Sequence, residues 1–432
     1  MDHGEDDRTR ERMRRQLVDY FASGAKPVSG FGALGVEVEH FVLAPDGVPV
    51  AYEPTGEVPG IRDVLEHLAT WYPRRTHNGE GDLLGLDGDQ GSITLEPAAQ
   101  LELSAAPFER VADVERAYAD FREHVDDILS AHGAALVAGG YHPTRRAQEL
   151  TRIPKRRYDF MDDYFTHIGS HGDRMMRASA STQVSVDFTD EADAVRKMRV
   201  TSAIAPVLAA IADNTRVFEA EPNHVPIRRL QLWREVDRLR CGTVPGVFDA
   251  GFGFAAYADW LLRTPPIFVT RPAANDPDSP SLRAAYDTPA AEVYADAPMG
   301  EADLEHLMSM FWPDVRLKRF VEIRPADCMP PEDVIGYAAL IKGLYYGESS
   351  LAAIEEALGV RCGPWPLATA DVDAAIAAIA RDGFAAEVYG WTLEDWEEML
   401  FTLALNALPT DERHYLDPLV AFVRDKDWWE VG

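Results

Sequence analysis

The chain has 432 residues, 46% of them hydrophobic, which is enough for a large core or for two to three domains. Its formal net charge of −30 combines 36 arginines with only 6 lysines. That sign is wrong for gripping a phosphate backbone and excludes nucleic acid as an expected partner. The acidity is spread along the chain rather than gathered into a tail, which fits solubility or a salty or high-GC source. No apolar run of 18 residues is present to span a membrane, and the charged N-terminus lacks the apolar stretch of a signal peptide. Cys241, Cys328 and Cys362 are widely spaced and form neither a zinc pattern nor a disulfide framework, so a reducing cytoplasm is expected.

In chain order, residues 7–23 predict a helix closed by Gly24. G-V-E-V-E-H-F-V-L (35–43) predicts a strand with Glu37 and Glu39 on one face, and Ala44–Gly47 a turn into a hairpin with 48–52. Helical spacing returns at 61–71, a Gly- and Asp-rich loop or tight hairpin spans 79–91, and a long helix covers about 107–132. Residues 134–138 read as a short strand, 144–157 as a polar, Arg-rich stretch, and 158–177 as a mobile segment placed to act as a substrate lid. A strand at 179–188 and a helix at 190–213, with Pro206 inside it, follow. The Arg-dense stretch 228–242 either grips phosphates or carboxylates or forms helical ion pairs with Glu235 and Asp237. Residues 264–300 predict a hairpin plus an exposed loop, 303–311 a helix, 316–327 a strand, and 332 to the end a series of helices punctuated by Gly359 and Pro364-Trp365-Pro366. The expected organisation is an N-terminal helix (1–29), a sheet-based catalytic core (30–345) and a C-terminal helical layer packed on it (346–432).

The organising stretch is I-T-L-E-P-A-A-Q-L-E-L-S (93–104), which alternates strictly and is expected to be one strand. Its polar face carries Glu96, Gln100 and Glu102 and no positive charge. Carboxylates at i and i+2, as in Glu37 and Glu39, stand about 7 Å apart on one side of a strand. Buried together they repel unless a cation neutralises them, and hard oxygen donors of this kind suit Mg²⁺. Four strands present polar groups at period two: Glu37/Glu39, Glu96/Gln100/Glu102, Gln183/Asp187 and Glu322/Arg324. Their connections are long and largely helical, so an α+β fold with an antiparallel or mixed sheet is expected. Neither a Walker A motif nor a G-x-G-x-x-G after a strand is present, so any nucleotide would be held through metal-bridged phosphates and arginines. His40, His142, His167 and His171 read as structural, and Cys241 and Cys328 as buried thiols.

Six motifs in order, G-V-E-V-E (35–39), L-E-P-A-A-Q-L-E-L-S (95–104), S-T-Q-V-S-V-D-F (181–188), L-W-R-E-V-D-R-L-R-C-G (232–242), Y-A-D-W-L-L (257–262) and R-L-K-R-F-V-E-I-R-P-A-D (316–327), carry a resemblance covering roughly residues 30–350. The chain resembles glutamate–cysteine ligases of the plant and bacterial type, including the actinobacterial enzymes of ergothioneine synthesis, within the wider carboxylate–amine ligase group. The resemblance implies a glutamine-synthetase-like fold, a curved antiparallel sheet with helices on its outer face. It implies ATP-dependent formation of γ-glutamylcysteine through an acyl phosphate, a step of thiol biosynthesis.

By motif, Glu37, Glu39, Glu96, Glu102 and Glu322 would hold two to three Mg²⁺ ions, and Glu37, Glu39 and Arg324 would be catalytic. Gln100 and Gln183 would orient substrate or ATP, and Arg234, Arg238, Arg240 and Arg324 would bind phosphate or the amino acid's carboxylate. The implied partners are L-glutamate, ATP and L-cysteine or another amine, for a monomer or homodimer. Two departures stand out: Ala98-Ala99 where the family has a Gly-Gly pair, and Asp237-Arg238 where it has Asp-Pro. Alternatives are a ligase of the same family with another amine or acid, a guanidino phosphotransferase, which would need a reactive thiol near the site, and a binding protein without activity.

Overall fold

A computed structural model describes residues 3–28, 30–271, 282–347, 349–360 and 365–429. Cys362, Pro364 and the middle of the 264–300 segment lie outside the described residues. Nine strands form the main sheet: β1 (Leu34–Leu43), β2 (Arg74–His77), β3 (Leu83–Asp87), β4 (Gly91–Leu95), β5 (Leu101–Ala105), β6 (Ala135–Val137), β7 (Thr182–Val186), β8 (Val315–Leu317) and β9 (Val321–Ile323). The order is β8-β9-β7-β1-β5-β4-β3-β2, with β6 paired to the far end of β1, and every pairing is antiparallel.

Alternation in β1 decides which side is core. Leu34, Val36 and Val38 are buried, and His40 on the same face gives a 2.7 Å Nε2 contact to Tyr118 Oη of the helix Val111–Leu129. Glu37 and Glu39 therefore face the other way. The helices Val111–Leu129, Glu191–Ile211 and Pro331–Tyr346 cover the apolar side of the sheet. Pro331–Tyr346 is apolar almost all round because it is buried all round, between the sheet and the helices Leu393–Ala407 and Leu416–Arg424. Two glycines permit that approach. A Cβ on Gly343 would stand 2.6 Å from Ala404 Cα, and one on Gly336 2.8 Å from Leu419 Cβ. A buried ion pair ties the layers: Lys342 Nζ to Glu412 at 2.6 Å, while Glu412 also accepts from the Val111 amide. One hydrophobic cluster runs from Met13 to Trp429.

Several expected boundaries move. The 93–104 stretch is two strands, β4 and β5, paired Thr94↔Glu102 and Leu95↔Leu101 around a tip at Pro97–Ala99. Likewise 316–327 is the hairpin β8–β9, paired Arg316↔Glu322. Strict alternation cannot distinguish a long strand from two joined by a short turn that keeps the parity of the faces. Residues 158–177 are two helices, Arg157–His167 and Gly172–Ala178, anchored by buried Tyr158, Met161, Tyr164, Phe165, Met175 and Met176. Of the loop or tight hairpin expected at 79–91, the structure has the hairpin, β3 turning into β4, and the expected hairpin at 48–52 is a single bridge, Leu43↔Pro49.

The tip of β4–β5 explains one departure. Ala99 sits at φ +67°, in the left-handed region that a three-residue hairpin loop requires at its last position. The backbone keeps a glycine conformation although the residue is alanine. Ala99→Gly is therefore expected to stabilise the fold by about 0.5–1 kcal/mol, and Ala99→Val to destabilise it by about 1–2 kcal/mol. Urea midpoints of the three proteins check this, and equal midpoints would mean that the tip relaxes freely.

Candidate active site

The polar face of β1, β4, β5, β7 and β8 opens onto a cavity of about 300 Å³. Antiparallel register places Glu39 of β1 directly opposite Glu102 of β5, and Glu37 opposite Gln183 of β7. Glu96 joins them from the β4–β5 turn, and one carboxylate oxygen each from Glu39, Glu96 and Glu102 lies within 4.8 Å of the others. Each is oriented differently. Glu39 accepts from the Ser181 amide at 2.7 Å and from Gln183 Nε2 at 3.2 Å. Glu102 accepts from Thr94 Oγ1 at 2.6 Å and Ser104 Oγ at 3.1 Å.

Burial and mutual repulsion raise the proton affinity of this group. Burial, then Glu322 and Glu102, push Glu37 up to about 7. Burial, then Glu96 and Glu102, push Glu39 up to about 8. Glu96 and Glu102 are raised as well, again chiefly by burial. Glu322 behaves oppositely. Fully buried, it accepts from Arg316 at 2.6 and 3.0 Å, Lys318 at 3.1 Å and Arg324 at 2.9 Å. The attraction of these three cations outweighs its burial and holds it well below the usual range.

Cations line the same cavity: Arg316, Lys318 and Arg324 on the β8–β9 part of the sheet face, and Lys155 and Arg157 from another segment. Arg324 donates to Gln183 Oε1, which in turn donates through Nε2 to Glu39. Lys155 and Arg157 come from the segment that packs on the hairpin tip, where the Ile153 amide donates to Pro97 O at 2.9 Å. Arg157 Nε has no hydrogen-bond partner in the protein. Burial pulls the Lys155 ammonium below its ordinary range. Tyr158, Met161, Met175, Met176, Trp233 and Trp312 complete the walls.

Of the expected residues, Glu37, Glu39, Glu96, Glu102, Gln183 and Arg324 line this one cavity, and Glu322 sits directly behind it holding three of the cations. Gln100 does not reach it. Its side chain is consumed by the Ala98 amide and the carbonyls of Arg177 and Ser179, so it fastens the hairpin to the chain before β7. The three arginines of 234–240 also lie elsewhere. Arg234 pairs with Asp314 and Asp373, each at 2.7 Å; Arg240 is fully buried against Asp237 at 2.8 Å; Arg238 is exposed. The two arginines that have partners are engaged in ion pairs.

Reasoning from sequence passed over Lys155, Arg157, Arg316 and Lys318. A signal for two of them existed: in a chain with only 6 lysines against 36 arginines, each retained lysine is conspicuous. His40 is buried and pushed down to about 4 by burial, so it is neutral and structural. Burial lifts both described thiols, Cys328 up to about 12 and Cys241 further, which removes the reactive thiol a guanidino phosphotransferase would need among the described residues.

A sheet face with clustered carboxylates beside a group of cations defines a site for joining or transferring highly charged small molecules. The sequence profile described as glutamate-cysteine ligase family 2 matches residues 33–425. The chain belongs to that family. It is 32% identical over 353 residues to glutamate–cysteine ligase B, chloroplastic, of Oryza sativa subsp. japonica, covering 81% of this chain and 69% of the relative. It is also 32% identical to glutamate–cysteine ligase, chloroplastic, of Arabidopsis thaliana, covering 80% and 65%. The fold matches a crystal structure of glutamate–cysteine ligase from Francisella tularensis in complex with AMP, at TM-score 0.53 and 12% identity, over 92% of this chain and 82% of that one. The expected α+β, glutamine-synthetase-like antiparallel sheet with helices on one face is the fold observed. No helix among the described residues is long and apolar enough to cross a membrane.

Because Glu37 and Glu39 bind protons more tightly folded than unfolded, their contribution to stability is complete below the ordinary carboxylate range and is lost as pH rises through about 7 and 8. Chelator-treated protein is therefore expected to lose on the order of a few kcal/mol between about pH 5 and pH 8. Glu39→Gln should flatten that profile and raise the melting temperature at pH 8. A wild-type profile that rises over this range would contradict the arrangement.

Proposed function

We propose that this chain is an ATP-dependent ligase that activates the γ-carboxylate of L-glutamate as an acyl phosphate and joins it to the amine of L-cysteine, giving γ-glutamylcysteine. The observation that carries this reading is the one cavity lined both by Glu37, Glu39, Glu96 and Glu102 and by Lys155, Arg157, Arg316, Lys318 and Arg324. A carboxylate is a poor electrophile. Its oxygen therefore attacks the γ-phosphorus of ATP, the bond to ADP breaks, and the acyl phosphate forms. The amine nitrogen then attacks the acyl carbon, loses its proton, and inorganic phosphate departs.

Both steps concentrate negative charge on oxygen, and the cationic group supplies preorganised positive charge there. Arg316, Lys318 and Arg324 are held in place by Glu322, which gives that buried carboxylate a positioning role. Arg157, with its Nε unpartnered, is free to bind a phosphate or carboxylate oxygen of a substrate. Gln183 links Arg324 to Glu39 and so fixes the cationic group relative to the anionic one.

The donor set fits Mg²⁺: the three converging carboxylates of Glu39, Glu96 and Glu102, with Glu37 beside them, are hard oxygen ligands short of counter-charge. When bound, Mg²⁺ neutralises charge on the phosphate oxygens of the nucleotide. Buried, free Cys241 and Cys328 fit a reducing compartment such as the cytoplasm.

ADP release with Mg²⁺-ATP and L-glutamate, measured against a panel of amines that includes L-cysteine, tests this reading. Cysteine-dependent turnover with a γ-glutamyl product identified by mass is expected, abolished in Glu39→Ala and Glu102→Ala. Turnover with another amine would keep the ligase and move its specificity. No ATP cleavage with any pair would overturn the reading. Arg157→Gln is expected to lower kcat/KM by about 10²-fold in steady-state kinetics, because its Nε has no hydrogen-bond partner in the protein and is available to a substrate oxygen.

A further inference from the structure

One backbone outlier stands beside the ligase cavity. Ile227 is buried and sits at φ +50°, in the left-handed region that a β-branched residue rarely adopts. It opens the short helix Arg228–Arg234, which carries Arg229. Arg229 is 3% exposed and lines a small recess that shares Trp233, Trp312 and Arg324 with the cavity. Its charge also draws on Glu39, against the upward push of burial, Glu96 and Glu102. A strained residue persists only where its surroundings over-determine it, and such residues cluster at functional sites.

What holds Ile227 comes from the stretch 213–215. The buried Asp213 accepts from the Ile227 amide at 3.1 Å. The same stretch also holds the Arg229 guanidinium. The Asn214 amide at 2.9 Å and Thr215 Oγ1 at 2.7 Å donate to one oxygen of Asp327, whose other oxygen lies 3.7 Å from Arg229 Nη1. The backbone before Arg229 and its side chain are thus both tied to one short stretch.

That stretch is in turn fastened by a segment distant in sequence, 426–429. Trp429 Nε1 donates to Asp213 at 2.6 Å, on the same oxygen that accepts from Ile227. The buried Lys426 ammonium donates to the carbonyls of Asp213 at 2.8 Å and Ile211 at 3.3 Å. His224 Nδ1 meets Trp428 O at 3.0 Å, and the Arg216 guanidinium lies over the Trp428 ring at 4.0 Å. Neither Asp213 nor this segment lines the cavity or its recess, so any influence on the site passes through Ile227 and Arg229. Stability alone would be better served by a glycine or a relaxed turn at 227.

We propose that Trp429 and Asp213 are positioning residues of the ligase site: their hydrogen bond fixes the left-handed turn at Ile227 and so aims Arg229 at the cavity. This rests on the ligase reading for the reaction that measures it. Steady-state kinetics of Trp429→Phe, which keeps a ring and removes the indole donor, tests it in the wild-type and Arg229→Lys backgrounds. The variant is expected to lower kcat/KM about tenfold in the first and less than about twofold in the second. Trp396→Phe removes a buried indole bond to Val388 O, 2.8 Å long, in the helix Leu393–Ala407, and controls for lost stability; it should leave kcat/KM unchanged. Hydrogen exchange, which needs no turnover, is expected to quicken about tenfold over 226–234 in Trp429→Phe and to stay the same in the β4–β5 hairpin. Equal falls in both backgrounds, an equal fall in Trp396→Phe, or unchanged exchange over 226–234 would each overturn the proposal. A wild type without cysteine-dependent turnover would overturn the ligase reading instead, and exchange over 226–234 would then decide this one.

Discussion

Glu39 and Glu102 stand directly opposite each other on neighbouring strands, with Glu96 within carboxylate reach and Glu37 two residues along. Like charges at opposed positions of an antiparallel pair destabilise it, so something else must hold the register. The other face of the same strands does so. Leu34, Val36, Val38, Leu101, Leu103, Val184 and Val186 are all essentially buried under helices. A slip of one residue would turn every one of them to the cavity and every glutamate into the core. The apolar side thus fixes the register, and the carboxylates are carried into proximity whether or not they attract.

The two groups of charges in the cavity use burial in opposite ways. In the anionic group, buried carboxylates without enough counter-charge gain proton affinity and wait for a cation. In the cationic group, one fully buried carboxylate, Glu322, is surrounded by Arg316, Lys318 and Arg324 and gives up proton affinity. Removing Glu322 would leave three crowded cations uncompensated, which is the usual severity of breaking a buried ionic cluster. The β8–β9 hairpin makes this cluster possible because its register sets Arg316 across from Glu322, while Arg324 follows two residues later on the same face.

How much of this was legible in the sequence follows from periodicity. The faces of β1, β4, β5, β7 and β9 could be read because period two survives a tight hairpin, so the carboxylates were found even where one strand proved to be two. Gln100 was misplaced because it lies at the turn, where alternation says nothing about direction, and its amide closes the loop instead. The arginines of 234–240 drew attention by density, yet density reflects a chain that uses arginine for nearly every cation. Lysine was the better guide. Lys155 and Lys318 line the cavity, while Lys26, Lys197, Lys342 and Lys426 each hold a specific buried or half-buried acceptor. The helices at 157–178 escaped notice because their apolar residues face a cavity and its walls rather than one continuous core, which blurs the 3.6 period.

The same charge arrangement makes folding and function oppose each other at neutral pH. Four carboxylates crowded on a sheet lower the stability of the empty protein, and any one of them could be neutralised to make a firmer fold and a poorer site. The chain meets that cost elsewhere, in the all-buried helix Pro331–Tyr346 and in the C-terminal helices brought close to it at Gly336 and Gly343. Ligands that bring positive charge to the anionic group bind the folded state alone, so loading the site restores stability in proportion to how far their concentration exceeds Kd. The positions of these carboxylates are set through the register of the sheet's apolar face, where no occupant ever touches it.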